Sequence, residues 1–115
     1  MSIKILHNPR CSKSRQALEL IRQQGVEPDV REYLKEPLTA TELKELVKLL
    51  GVETRALVRT KEEEFKATGL APESASDDEL ITALVETPKL MERPVVITPK
   101  GARIGRPPEL VLEIL

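Results

Sequence analysis

The stretch SIKILHNPRCSKSRQALEL (residues 2–20) decides how this chain is read. Ser2 to Leu6 alternates polar and apolar residues, the period-two pattern of a strand. His7-Asn8-Pro9-Arg10 interrupts that pattern. From Cys11 onward the spacing is helical, with Ser14, Ala17, Leu18 and Ile21 on one face and Gly25 as the stop. Asp29 to Leu34 then reads as a second strand. Strand, loop, helix and strand in that order predict a βαβ unit with a parallel strand pair.

Outward from this unit the signals are local. Thr39 and Glu42 have capping-box spacing, with Leu38 and Leu43 placed as a hydrophobic staple. Leu43, Leu46, Val47 and Leu50 form the apolar stripe of that helix, and Gly51 ends it. Short helical turns are expected over Thr54 to Arg59, and an amphipathic stretch over Lys61 to Lys66. Ser76 and Glu79 repeat the capping-box spacing ahead of Leu80, Ile81, Leu84 and Val85, with Pro88 as the stop. Pro94 to Thr98 is the most apolar strand, expected at or near the sheet centre. A turn at Pro99-Lys100-Gly101 returns it as Ala102 to Ile104. Glu109 to Leu115 closes the chain as a short helix. The order βαβ, helical insert, ββα fits an α/β chain of thioredoxin type: a mixed sheet flanked by helices, in one domain spanning residues 1–115.

Composition narrows the function. One cysteine and one histidine among 115 residues leave no internal disulfide, no internal dithiol couple and no zinc site of the cysteine-rich or mixed type. Eighteen Lys and Arg against nineteen Asp and Glu give a net charge of −1, which does not suggest a nucleic-acid binder or a polybasic membrane anchor. No apolar run approaches the ~18 residues of a membrane span, and no signal-peptide pattern opens the chain. A cytoplasmic protein with a reduced thiol is expected, and a monomer, since no long apolar stripe is left over.

Cys11 stands where the first strand feeds the first helix. Free N–H groups and the positive end of the helix dipole favour a thiolate there and attract an oxyanion. Arg10, Lys13 and Arg15 flank it, His7 precedes it, and no acidic residue occurs from His7 to Ala17. A buried structural cysteine would instead be flanked by apolar residues. A phosphatase-type loop would need arginine six positions after the cysteine, where Ala17 stands. A dithiol motif would need cysteine at position 14, where Ser14 stands. The remaining pattern is the monothiol Cys-x-x-Ser. Ser14 is either a hydrogen-bond donor to the thiolate or a solvent-facing helix serine. His7 is either a proton donor or positive partner to the sulfur, or a loop histidine bonded to backbone.

Binding both a thiolate and an oxyanion calls for arginine, whose planar fork matches oxyanions. Arg93 precedes Pro94 directly before the apolar strand. In a thioredoxin-type fold that proline is cis and faces the active cysteine, which would place Arg93 beside Cys11. Arg106 also precedes a proline, and Arg55 and Arg59 are spaced to share a helical face.

Taken together, these blocks resemble the glutaredoxin-linked arsenate reductase family over essentially the whole chain. The resemblance is carried by His7-Asn8-Pro9-x-Cys11 with Ser14-Arg15, Arg55-Ala56-Leu57-x-Arg59, Arg93-Pro94-Val95-Val96 with Thr98-Pro99, and Arg106-Pro107. It implies that Cys11 attacks arsenate to form a thioarsenate, with His7 and Ser14 supporting the thiolate. It implies that Arg59, Arg93 and Arg106, with Arg15, bind the oxyanion. No bound cofactor or metal is implied; glutathione is the co-substrate and glutaredoxin the protein partner. The single cysteine fits, because a two-electron reduction then needs a thiol from outside. Between Cys11 and Ser14 the chain carries Ser12-Lys13 where the best-known members have a Gly-Thr pair, and Lys13 adds positive charge. Two other readings are a glutathione-dependent thiol oxidoreductase and a non-catalytic regulator related to RNA-polymerase-binding members of the fold. The latter typically carry a CxxC switch, which Ser14 removes.

Overall fold

Four short strands make one mixed sheet in the order β2-β1-β3-β4: β1 Lys4–His7, β2 Asp29–Glu32, β3 Val95–Thr98 and β4 Gly101–Ile104. The structure is a computed structural model that describes residues 2–115. β1 runs parallel to β2, with Lys4 opposite Asp29 and His7 opposite Glu32. β3 is antiparallel to β1, with Leu6 opposite Val95, and the β3–β4 hairpin pairs Thr98 with Gly101. The apolar strand expected near the centre is central, and the βαβ unit has its parallel pair.

The chain forms two compact units. The first comprises residues 1–36 and 93–115 and holds the whole sheet. Its helix α1, Ser12–Gln23, buries Ser14, Ala17 and Ile21. Ile5, Ala17, Ile21, Val96, Val111 and Ile114 make one core cluster, with Leu18 packed at its margin. Full burial of its isoleucine and valine side chains stabilises by roughly 1.5–3 kcal/mol each. The closing helix is a 3-10 helix over Pro108–Ile114, and Thr98 Oγ1 donates to the Ile114 carbonyl at 2.7 Å. The second predicted strand stops at Glu32, and Tyr33 is buried in the turn that follows.

The second unit, residues 37–92, is helical. α2 (Ala40–Leu50) and α4 (Asp77–Glu86) each begin with the expected capping box. Thr39 and Ser76 accept from the N–H of Glu42 and Glu79, whose carboxylates accept from the two cap N–H groups. Gly51 ends α2 at φ 67°, a left-handed conformation that suits glycine. Between them lie a 3-10 turn over Thr54–Leu57 and the single-turn α3, Glu63–Lys66, which buries Phe65. Val58 is extended and bridges Met91. Arg55 and Arg59 therefore do not share a helix: the turn ends before Arg59, and Arg55 pairs with its neighbour Glu53. No helix among the described residues is long and apolar enough to cross a membrane.

Candidate active site

Asn8 builds the loop that presents Cys11. Its Oδ1 accepts the Arg10 N–H at 3.0 Å, and its carbonyl accepts the Cys11 N–H at 3.0 Å. An asparagine two residues before the bonded amide is a local turn-former. Arg15 Nη1 donates to the Pro9 carbonyl at 2.8 Å and braces the loop from α1. Cys11 is then the N-cap of α1, with extended backbone and no acidic residue in the first helical turn.

Cys11 is partly exposed, and its surroundings shift its thiol in opposite directions. Burial alone would push its pKa up. The N–H groups of Ser14 and Lys13, the positive charge of Arg93 and a hydrogen bond from the Arg93 guanidinium outweigh that effect, so the thiol lies below its ordinary value. Arg93 is the first residue of the returning chain, and the Arg93–Pro94 bond is cis. Its Nε and Nη1 are buried with no hydrogen-bond partner among the described residues. Buried donors of a guanidinium left unpaired are costly, and their planar fork suits an oxyanion. An anion beside the sulfur satisfies both requirements.

Ser14 is fully buried, not solvent-facing. Its main-chain N–H serves the sulfur, while its Oγ accepts from the Asn8 N–H at 3.0 Å and lies 2.7 Å from His7 Nδ1. One proton joins serine and histidine, given by either according to the tautomer. His7 is also buried, and that burial lowers its pKa, opposed by nearby Glu32 and aided by the positive charges of Arg22 and Arg15. Burial thus disfavours its cationic form, and its ring is tied to the helix start through Ser14 Oγ. Arg106 is exposed, its Nη1 donating to the Arg93 carbonyl at 3.3 Å.

One backing residue escaped the sequence reading. Gly105 donates its N–H to the Pro94 carbonyl at 2.8 Å, and a Cβ there would stand 2.8 Å from Pro94 Cγ and 3.1 Å from Val111 Cγ1. Glycine is required by this close approach behind the Arg93–Pro94 corner. The Gly-Arg-Pro run of residues 105–107 was visible, but only its arginine and proline were read.

Arg59 belongs to the helical unit. Its guanidinium is paired with the Glu62 carboxylate and lies 3.7 Å from that of Glu92. No group of three or more His, Cys, Asp or Glu that would hold a metal ion occurs among the described residues.

A model of the ArsC family matches residues 6–114. The chain belongs to the ArsC family. A 54% identical relative, the uncharacterized protein YfgD of Escherichia coli (strain K12), aligns over 98% of this chain and 96% of its own length. An arsenate reductase of Escherichia coli (strain K12) is 46% identical over 99% of this chain and 81% of that protein. The solved arsenate reductase from Vibrio cholerae superposes with a TM-score of 0.96 at 51% identity, covering 100% of this chain and 98% of that one. The ArsC fold of this chain is thus the thioredoxin-like mixed sheet flanked by helices that its element order suggested.

Proposed function

We propose that this chain is an arsenate reductase, with Cys11 as nucleophile and glutathione and glutaredoxin as the source of electrons. One observation carries the reading: the positive charge of Arg93 lowers the Cys11 thiol while its buried Nε and Nη1 have no hydrogen-bond partner among the described residues. Such an arrangement supports an anion next to a nucleophile. Membership in a family with arsenate reductases at 46% identity supports arsenate as the anion.

In this reading the Cys11 thiolate attacks arsenic, an As–S bond forms, and one arsenate oxygen leaves as water after protonation. Arg93, Arg106 and Arg59 carry the oxyanion's charge, Arg15 holds the loop and adds positive charge, and His7 and Ser14 keep the helix start in place. A glutathione thiol then joins the arsenic with loss of a second water. A glutaredoxin thiolate attacks the glutathione sulfur, the electrons of the S–As bond pass to arsenic, and As(V) becomes As(III). Hydrolysis of the remaining bond to Cys11 releases arsenite and restores the thiol. The two electrons come from two external thiols, which leave as a mixed disulfide.

The test is arsenate-dependent NADPH oxidation coupled through glutathione, glutaredoxin and glutathione reductase. Turnover is expected, and it should vanish in Cys11→Ser. Activity no higher than that variant's overturns the reading. Turnover of a glutathionylated substrate without arsenate would favour a general thiol oxidoreductase instead.

A further inference from the structure

Gly105 is a glycine for a different reason from the others. Gly25, Gly51 and Gly69 take φ of 79°, 67° and 76°, and a Cβ on any of them would meet nothing within 4 Å. They serve turns whose backbone conformation side chains rarely adopt, and Gly101 joins them at φ 138°. Gly105 has no positive φ, so its backbone does not itself demand glycine. Space does. Its Cβ would stand 2.8 Å from Pro94 Cγ, 3.5 Å from Pro94 Cδ and 3.1 Å from Val111 Cγ1. Pro94, Gly105 and Val111 are all buried, so none of them can swing into water to make room.

The contact lies just outside the sheet. The β3–β4 ladder ends with Val95 opposite Ile104. Beyond that pair, the Gly105 N–H donates to the Pro94 carbonyl at 2.8 Å, and Arg106 Nη1 donates to the Arg93 carbonyl at 3.3 Å. Residues 105 and 106 thus hold the main chain of Arg93 and Pro94 where the ladder no longer does. A proline ring closes on its own backbone nitrogen, so a push on the Pro94 ring passes to the peptide that joins it to Arg93. Arg93 in turn carries the buried Nε and Nη1 that have no hydrogen-bond partner among the described residues. Where those donors stand depends on where that main chain is held.

We propose that Gly105 is a positioning residue for Arg93: without a side chain it lets the chain close on the Pro94 ring, and that contact sets the guanidinium in place for an oxyanion. The inference rests on the reading above that Arg93 binds the anion, and it names the residue that fixes where Arg93 stands.

The experiment compares wild type, Gly105→Ala, Arg93→Ala, the Arg93→Ala/Gly105→Ala double variant and Gly25→Ala by two readouts that need no turnover. One is protection of Cys11 from iodoacetamide by inorganic phosphate; the other is the pH midpoint of that alkylation. Gly105→Ala is expected to raise the protecting phosphate concentration roughly tenfold, short of the ~100-fold that misplacing a group by about 1 Å can cost. It should also raise the alkylation midpoint, since the Arg93 charge that helps hold the thiol down moves. Gly25→Ala strains a turn past the far end of α1 and should move neither readout. In the Arg93→Ala background, Gly105→Ala should have no further effect on either. Val111→Ala opens room beside the added Cβ. Gly105→Ala/Val111→Ala measured against Val111→Ala should therefore show the same loss at a smaller factor, even where the single variant fails to fold. Unchanged protection and midpoint in Gly105→Ala, or equal changes when Arg93 is absent, overturn the proposal. Failure of phosphate to protect wild type would count against the anion-site reading, while the alkylation midpoint still decides whether Gly105 positions Arg93.

Discussion

Arg93 and Arg59 are both candidate anion ligands, and their surroundings are opposite. In the sheet-bearing unit, Arg93 keeps two buried nitrogens without a protein acceptor and turns to the Cys11 sulfur. In the helical unit, Arg59 is met by two carboxylates. An anion at Arg93 would satisfy donors that otherwise lack partners among the described residues, whereas the Arg59 guanidinium already has acceptors. The same residue type therefore stands differently: Arg93 has buried donors without acceptors beside a thiol, and Arg59 is already neutralised by carboxylates.

The largest expected effect tests the Arg93 half of this contrast. Arg93→Ala should lower arsenate turnover by about 10²–10³, the scale of losing a positioned oxyanion donor. It should also raise the pH midpoint of Cys11 alkylation, since the positive charge of Arg93 helps hold the thiol down. A greater turnover loss in Arg59→Ala than in Arg93→Ala would break the comparison.

The His7–Ser14 pair comes next. Ser14→Ala leaves the buried His7 Nδ1 and the part-buried Asn8 N–H without their shared partner, at a cost of about 1–3 kcal/mol in urea unfolding. The alkylation midpoint should move much less than in Arg93→Ala, because the Ser14 contact with sulfur is through the backbone. In the helical unit, Thr39→Ala or Ser76→Ala should each remove about 1 kcal/mol of stability and leave the Cys11 midpoint where it was. A midpoint shift in those cap variants would show that the two units are not chemically separable.

The smallest expected effect is a pH slope. His7 is held below its ordinary value of 6.5, mainly by burial, so the unfolded chain binds the proton more readily than the folded one. Stability from this group is full above 6.5 and falls as pH drops toward the lower folded value. His7→Gln should flatten that part of the unfolding free energy measured against pH.

How much of this was readable in the residues follows from range. The βαβ start, both capping boxes and the β3–β4 hairpin are local patterns, and the structure repeats them. Cys11 at the helix start was legible for the same reason. The partners of Arg59 were not: Glu92 reaches it only through the Val58–Met91 bridge, an isolated pairing that leaves no periodic trace. The Arg55 and Arg59 spacing misled because a single 3-10 turn and an α-helix look alike over so short a stretch. Ser14 was read as donating its hydroxyl to sulfur or to solvent, and neither alternative included His7, seven residues earlier on the adjoining strand.

The chain leaves the sheet unit after Glu36 and re-enters it at Arg93. Seen as an order of synthesis, this separates the nucleophile from its activator in time. Cys11, Ser14 and His7 are made early, and the α1 start can form as soon as they emerge. The guanidinium that lowers the thiol is added only after the whole helical unit has been translated. A nascent or truncated chain ending before residue 93 therefore carries the cysteine without its arginine. Full reactivity of the sulfur is thereby tied to synthesis of the chain through residue 93.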